Sequence, residues 1–310
     1  MWKVSSGIFL GWSLGANDSA NIFGTGVATG AVKYRTAIWL TAVFVLIGAV
    51  AEGPKVMATI NELSRIDPVA AFCCTLAAGV TITALTFLAI PASVSQAIVG
   101  TIVGAGLLAG HVDFTLLYKV VVCWLFTPVL GIVLGYLVYR VSGSILNRTV
   151  KSITRRNLIY FTGILIAGSY GAYSLGANNV ANVTGVYVSA GLLLPLEASA
   201  IGGLSICLGV LTYSKKVMMT VGKGIVPLDP FSAFVVVLAE AMTLHIFTQL
   251  GVPVSSSQAV VGAVVGVGLV GGLRTVSGKM LLNITVGWIM TPVAAGLFAV
   301  VLLVASRSLF

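Results

Sequence analysis

The chain has 310 residues, of which 58% are hydrophobic and 8% charged, where an ordinary soluble domain carries roughly 25% charged residues. That much apolar surface excludes a soluble fold of this size, and the net charge of +9 sits in short loops, which points to membrane orientation and excludes a nucleic-acid partner. Cys73, Cys74, Cys123 and Cys207 lie in apolar stretches without metal-ligand spacing, far from His111 and His245, so neither a disulfide framework nor a zinc site is expected.

About 20 residues of helix cross the hydrocarbon of a bilayer, and the first half is predicted to hold segments near 4–31, 36–56, 68–89, 93–109 and 115–141. Lys3 followed by Gly7–Leu14 has the outline of a signal peptide, but hydrophobicity continues along the chain, so this start is read as the first span. Inside it lies Gly15-Ala16-Asn17-Asp18-Ser19-Ala20-Asn21. Polar groups in hydrocarbon are costly unless they pair or line a cavity, so this cluster is a candidate site. Gly15, Gly24, Gly26 and Gly30 predict a break in the helix that exposes carbonyl oxygens. Such carbonyls, with the side-chain oxygens of Asn17, Asp18 and Asn21, suit a hard cation such as Na⁺. The alternative is plain hydrogen bonding between helices by the amides.

Further along, Pro91 interrupts an apolar run and is followed by Ser93-Val94-Ser95-Gln96. A proline at a helix start with serines after it leaves N–H groups and hydroxyls at the positive end of the helix dipole, which is an anion site. The polar segment 142–157, with Arg148, Lys151, Arg155 and Arg156, is predicted to link a first unit, 1–141, to a second, 158–310.

The second unit repeats the first. Gly176-Ala177-Asn178-Asn179-Val180-Ala181-Asn182 echoes the first cluster at an offset of 161, and Lys216-Val217-Met218 echoes Lys55-Val56-Met57 at the same offset. Asp229-Pro230 and the stretch from Pro253 to Gly262 match Asp67-Pro68 and Pro91 to Gly100 at 162, and Trp288 with Thr291-Pro292 matches Trp124 with Thr127-Pro128 at 164. Five matches in one order establish a duplication. The fold class expected is an all-α polytopic membrane protein with two homologous repeats of about five transmembrane segments each. If every segment crosses, the odd number inverts the second repeat; if each serine-rich segment dips in and returns, the repeats are parallel. With a cytoplasmic linker, 12 of the 17 basic residues lie inside in either case. Inversion is preferred because it brings both serine motifs to the midplane from opposite faces, as broken helices or hairpins, and it places both termini outside.

The paired Gly-Ala-Asn-Asp/Asn-x-Ala-Asn motifs and the two Pro-x-Ser-x-Ser-Gln elements resemble the inorganic phosphate transporter (PiT) family along essentially the whole chain. The resemblance implies an inverted-repeat fold and Na⁺- or H⁺-coupled phosphate symport in a cell membrane. It assigns Asn17, Asp18, Asn21, Asn178, Asn179 and Asn182 to the cations. Ser93, Ser95, Gln96, Ser255, Ser257 and Gln258 go to the phosphate or the cations beside it, and Thr25, Thr29, Thr184 and Ser189 are further donors. Two departures stand out: Asn179 replaces an Asp of many relatives, and Gln96 and Gln258 replace His.

The partners expected are inorganic phosphate, Na⁺ and the lipid bilayer, with a homo-oligomer left open and no cofactor beyond the coupling ion. Na⁺ is preferred to H⁺ because Asp18 alone titrates in the predicted core and the tips carry Gln. A proton-coupled phosphate or sulfate permease is the alternative, and an anion channel a distant one. An intramembrane hydrolase is excluded because the two histidines do not recur at equivalent positions.

Overall fold

The computed structural model describes residues 2–63, 66–87, 92–224, 228–271 and 278–309. The expectations for Pro91, Arg65 and Arg274 fall outside these residues, as do those for the side chains of Lys223 and Lys279. Within them the chain forms ten α-helices and no strand. They are α1 (Ser5–Ala28), α2 (Tyr34–Leu63), α3 (Pro68–Phe87), α4 (Val94–Ala109), α5 (Phe114–Thr149), α6 (Ile153–Ser189), α7 (Pro195–Gly224), α8 (Pro230–Gln249), α9 (Ser256–Gly271) and α10 (Gly278–Leu309). Segment 142–157 is divided between the end of α5 and the start of α6.

Local chemistry explains several helix starts. Asp67 Oδ1 accepts from Val69 and Ala70 N–H at 2.7 and 3.0 Å, and Asp229 Oδ1 from Ser232 N–H at 2.9 Å. The duplicated Asp-Pro pairs are thus an N-cap followed by a proline whose missing N–H costs the first turn nothing. Gly30 and Gly191, with φ of 74° and 70°, turn the chain after α1 and α6 in the same way.

The packing relates the two repeats by a pseudo-two-fold axis. A Cβ on Gly15 would strike the Ile206 carbonyl, and one on Gly176 the Val45 carbonyl; both pairs are equivalent under the repeat. Gly48 against Tyr173 mirrors Gly209 against Trp12, and Gly100 against Pro292 mirrors Gly262 against Pro128. In lipid, where burying apolar surface between helices gains little, such close backbone approach supplies the packing energy. The break expected in the first span is absent: α1 is one continuous helix, and Gly15 and Gly26 serve helix contact.

The repeats are inverted. Along α1 and its equivalent α6, Gly7 lies against Tyr187, Phe23 against Gly168 and Gly26 against Ile164, so the two run antiparallel. Leu46 and Ala49 of α2 meet Gly203 of α7, and Gly53 approaches Ser199, again antiparallel. The axis therefore lies across the helices, in the plane of a membrane. Crossing number agrees. α3 and α4 pack against each other as a hairpin whose open ends close where Asp113 N–H donates to the Leu63 carbonyl at 3.1 Å, and Ser95 at the start of α4 reaches Asn182 within α6. The serine-rich helix does return, but α3 returns with it, which leaves α1, α2 and α5 as three crossings per repeat.

Length and polarity fit this plan. α4 and α9 have 16 residues each, about 24 Å of helix against about 30 Å of hydrocarbon. Among the described residues, seven helices are long and apolar enough to cross; α1, which carries the Asn and Asp side chains, is not among them. Exposed apolar side chains concentrate on α5 and α10 at matching positions, Leu125, Phe126, Val129 and Val133 against Ile289, Met290, Val293 and Leu297. The outer faces of these two helices are suited to lipid, whereas α8 of the second hairpin is largely buried.

Candidate functional site

The two hairpin tips meet between the middles of α1 and α6. Ser95 Oγ donates to the Val254 carbonyl at 2.7 Å, and Ser257 Oγ to the Ala92 carbonyl at 3.5 Å, the same contact seen from each repeat. Ser93 and Ser255 are N-caps, their hydroxyl oxygens accepting from Gln96 and Gln258 N–H at 3.3 Å each. Both helices thus begin at the meeting point. Their first N–H groups have no carbonyl within the helix, and both positive dipole ends face the same space.

Each asparagine cluster grips a tip. Asn178 donates to Thr248 Oγ1 and the Val252 carbonyl, both at 3.1 Å, and accepts from Val254 N–H at 2.9 Å, which fixes the extended chain before α9. Its equivalent, Asn17, donates to Thr86 Oγ1 at 2.6 Å at the end of α3. The other members reach across to the opposite repeat. Asn21 Nδ2 donates to Ser256 Oγ at 3.1 Å, and Ser256 Oγ donates to Asp18 Oδ2 at 2.8 Å. From α6, Asn182 Nδ2 donates to Ser95 Oγ at 2.8 Å and to Asn179 Oδ1 at 2.9 Å, and Ser95 Oγ lies 3.3 Å from Asn179 Oδ1.

Apart from the half-buried Asn17 and Thr86, these side chains are buried, and several of their polar atoms have no hydrogen-bond partner. The unpartnered atoms are Asp18 Oδ1, Gln96 Oε1, Gln258 Oε1, Asn182 Oδ1, Thr25 Oγ1 and Asn179 Nδ2. Leaving such groups unmade costs about 1–3 kcal/mol each, so a fold that keeps them together has a use for them. Acceptor oxygens dominate, which suits cations; hydroxyls and helix N-termini beside them suit an anion.

The sequence candidates divide accordingly. Asn17, Asp18, Asn21, Asn178, Asn179, Asn182, Ser93, Ser95, Ser255, Ser257, Gln96 and Gln258 all lie in or against this cluster, and Thr25 is buried one turn beyond Asn21 on α1 with its hydroxyl unpartnered. Thr29, Thr184 and Ser189 lie elsewhere: Thr29 donates to the Thr25 carbonyl at 2.9 Å, Thr184 to the Ala198 carbonyl at 2.8 Å and Ser189 to the Asn61 carbonyl at 3.3 Å. Ser189 lines an open depression of about 670 Å³ with Asn61, Ile66, Asp67 and Val188 at the ends of α2 and α6.

Two residues escaped the sequence reading. Ser256 occupies the variable position of its motif, where the first repeat has Val94, yet it bridges Asp18 and Asn21. Glu240 sits inside an apolar helix at a position where the first repeat has Ala78, and it is 1% exposed. Comparing the repeats for positions that differ in polarity finds both.

Relatives share this architecture. A "Putative phosphate permease" of Methanocaldococcus jannaschii is 31% identical over 287 residues, which cover 93% of this chain and 91% of that one. One of the same name from Pyrococcus furiosus is 29% identical over 382 aligned positions, covering 94% and 92%. A solved structure, "The sodium-dependent phosphate transporter", matches with a TM-score of 0.87 at 24% identity over 99% of this chain and 98% of that one, a likeness of fold. The family model described as the phosphate transporter family matches twice, over residues 14–167 and 148–299, once for each repeat. With both inverted repeats accounted for, the chain belongs to the phosphate transporter family, as a multi-pass membrane protein.

Proposed function

We propose that the protein imports inorganic phosphate coupled to Na⁺, by alternating access around the meeting point of the two hairpin tips. The observation that carries this reading is the convergence of two capped helix N-termini between two clusters of unpartnered oxygens. Phosphate takes the hydroxyls and free N–H groups of the tips, among them Ser95 and Ser257. Asp18, Asn21, Asn179 and Asn182 serve Na⁺. Asn178 and Asn17 act as positioning residues that hold the tips, in place of the cation role expected for them from the sequence. The inverted repeats supply the two-fold exchange that alternating access uses.

Orientation follows from charge. The linker end of the bundle carries Lys33, Arg35, Arg140, Arg148, Lys151, Arg155, Arg156, Lys215 and Lys216, and on the positive-inside rule it faces the cytoplasm, with both termini outside.

Preference for phosphate over sulfate rests on a proton. Phosphate keeps at least one P–OH at neutral pH, and Asp18, Gln96 or Gln258 offers it an acceptor. Sulfate would leave that acceptor facing only lone pairs, at about 1–3 kcal/mol, or roughly ten- to a hundredfold in affinity. Liposomes containing the purified protein test all of this through uptake of labelled phosphate and sulfate under an inward Na⁺ gradient. Uptake driven by a pH gradient in Na⁺-free buffer would replace Na⁺ by H⁺, and equal competition by sulfate would remove the phosphate preference.

A further inference from the structure

We infer that Glu240 of α8 and Asp18 of α1 together hold one of the coupling Na⁺ ions, in a site beside the tip of the second hairpin. This rests on the Na⁺-coupled reading and deepens it. Glu240 is buried, and neither of its carboxylate oxygens has a hydrogen-bond partner. Its helix, α8, packs against α1, which carries Asp18, and against α9, whose first residue Ser256 bonds Asp18 Oδ2, so the two carboxylates share one neighbourhood. Asp18 spends Oδ2 on Ser256 and leaves Oδ1 unpartnered.

No cationic side chain answers them. Among the described residues, the ion pairs join Glu52 to Lys55 and to His245, and neither Asp18 nor Glu240 takes part in one. Two neighbouring carboxylates inside a membrane are tolerable only with a positive partner or bound protons. The fold does not require the second one, since the equivalent position in the other repeat is Ala78. A glutamate held at that cost, on a helix packed against the one that carries the signature carboxylate, has the oxygens a hard monovalent cation takes. A divalent ion fits less well, because no group of three or more acidic, His or Cys side chains occurs among the described residues. The remaining oxygens come from groups already placed here, Ser256 and Asn21.

Thermal unfolding of the purified protein, titrated with NaCl at constant ionic strength and without phosphate, tests the site. Wild type should be stabilised by Na⁺, and Glu240→Gln should need at least tenfold more Na⁺ for the same shift. Glu240→Asp should fall between them. Glu240→Ala, which copies the other repeat, serves the same comparison if the Gln variant does not fold. A Na⁺ midpoint in Glu240→Gln equal to or below that of wild type overturns the inference and leaves the Na⁺ reading standing. So does a wild type whose Na⁺ response is unchanged by Glu240 variants while its pH response is lost in them, which would make the residue a proton carrier. A wild type indifferent to Na⁺ sinks the coupling reading itself, and this site with it.

Discussion

In the first repeat, Asp18 accepts from Ser256 while Asn21 holds the same hydroxyl; in the second, Asn179 accepts from Asn182 while Asn182 holds Ser95. Both clusters reach across to the opposite hairpin. The serines differ in register: Ser95 is the second residue after its cap and Ser256 the first. The charge differs as well. Asp18 faces Ser256 where its counterpart Asn179 faces a tip carrying Val94, and Glu240 stands where the other repeat has Ala78. The three polarity differences fall around one side of the site. Duplication provides a symmetric frame, and these substitutions turn one half of it toward cations.

Breaking the comparison is most direct at the charge. Asp18→Asn makes the two clusters chemically alike, and because Asn179 already occupies the matching place the protein should still fold and insert. Removing one partner of a buried charge interaction costs roughly 3 kcal/mol, so Na⁺-driven phosphate uptake should fall by about 100-fold. Unchanged Na⁺ dependence would return Asp18 to a packing role.

The serines sharpen it. A hydrogen bond to a charged group is worth about 1.5–3 kcal/mol and one between neutral groups about 0.5–1.5 kcal/mol. Ser256→Ala should therefore raise the Na⁺ concentration for half-maximal uptake by about 10- to 100-fold, and Ser95→Ala by about 2- to 10-fold. Equal losses at the two positions would mean that the carboxylate does not govern the asymmetry. The smallest effect on the comparison is expected where the frame is symmetric. Gly15→Ala and Gly176→Ala each drive a methyl group into an equivalent carbonyl; overpacking of this kind costs about 1–3 kcal/mol. Their unfolding temperatures should fall together, and a large difference between them would show that the halves are not packed alike.

The duplication, both tips and both asparagine clusters were legible because each appears twice at a nearly constant offset. The hairpins were not. α3 and α8 have 20 residues each and are as apolar as a crossing helix, so hydropathy reads them as spans, and only their contacts with the middle of the bundle identify them as arms that turn back. The glycines of α1 misled for a related reason. A glycine that permits a break and one that permits another backbone to approach look the same in a sequence. Ser256 and Glu240 were hidden because a search for what the repeats share discards the positions where they differ.

The interlocking of α1 with α7 has a consequence for how the chain is made. α1 packs its Gly15 against Ile206, yet it is not apolar enough to rank among the helices that would cross alone. Ribosomes add about 5–20 residues per second, so the interval between the synthesis of α1 and that of its partner is on the order of ten to forty seconds. During it, Asp18 and the asparagines lack the opposite hairpin that satisfies Asp18 and Asn21 through Ser256. The polar signature of α1 therefore meets the groups that satisfy it only once the second half has been made.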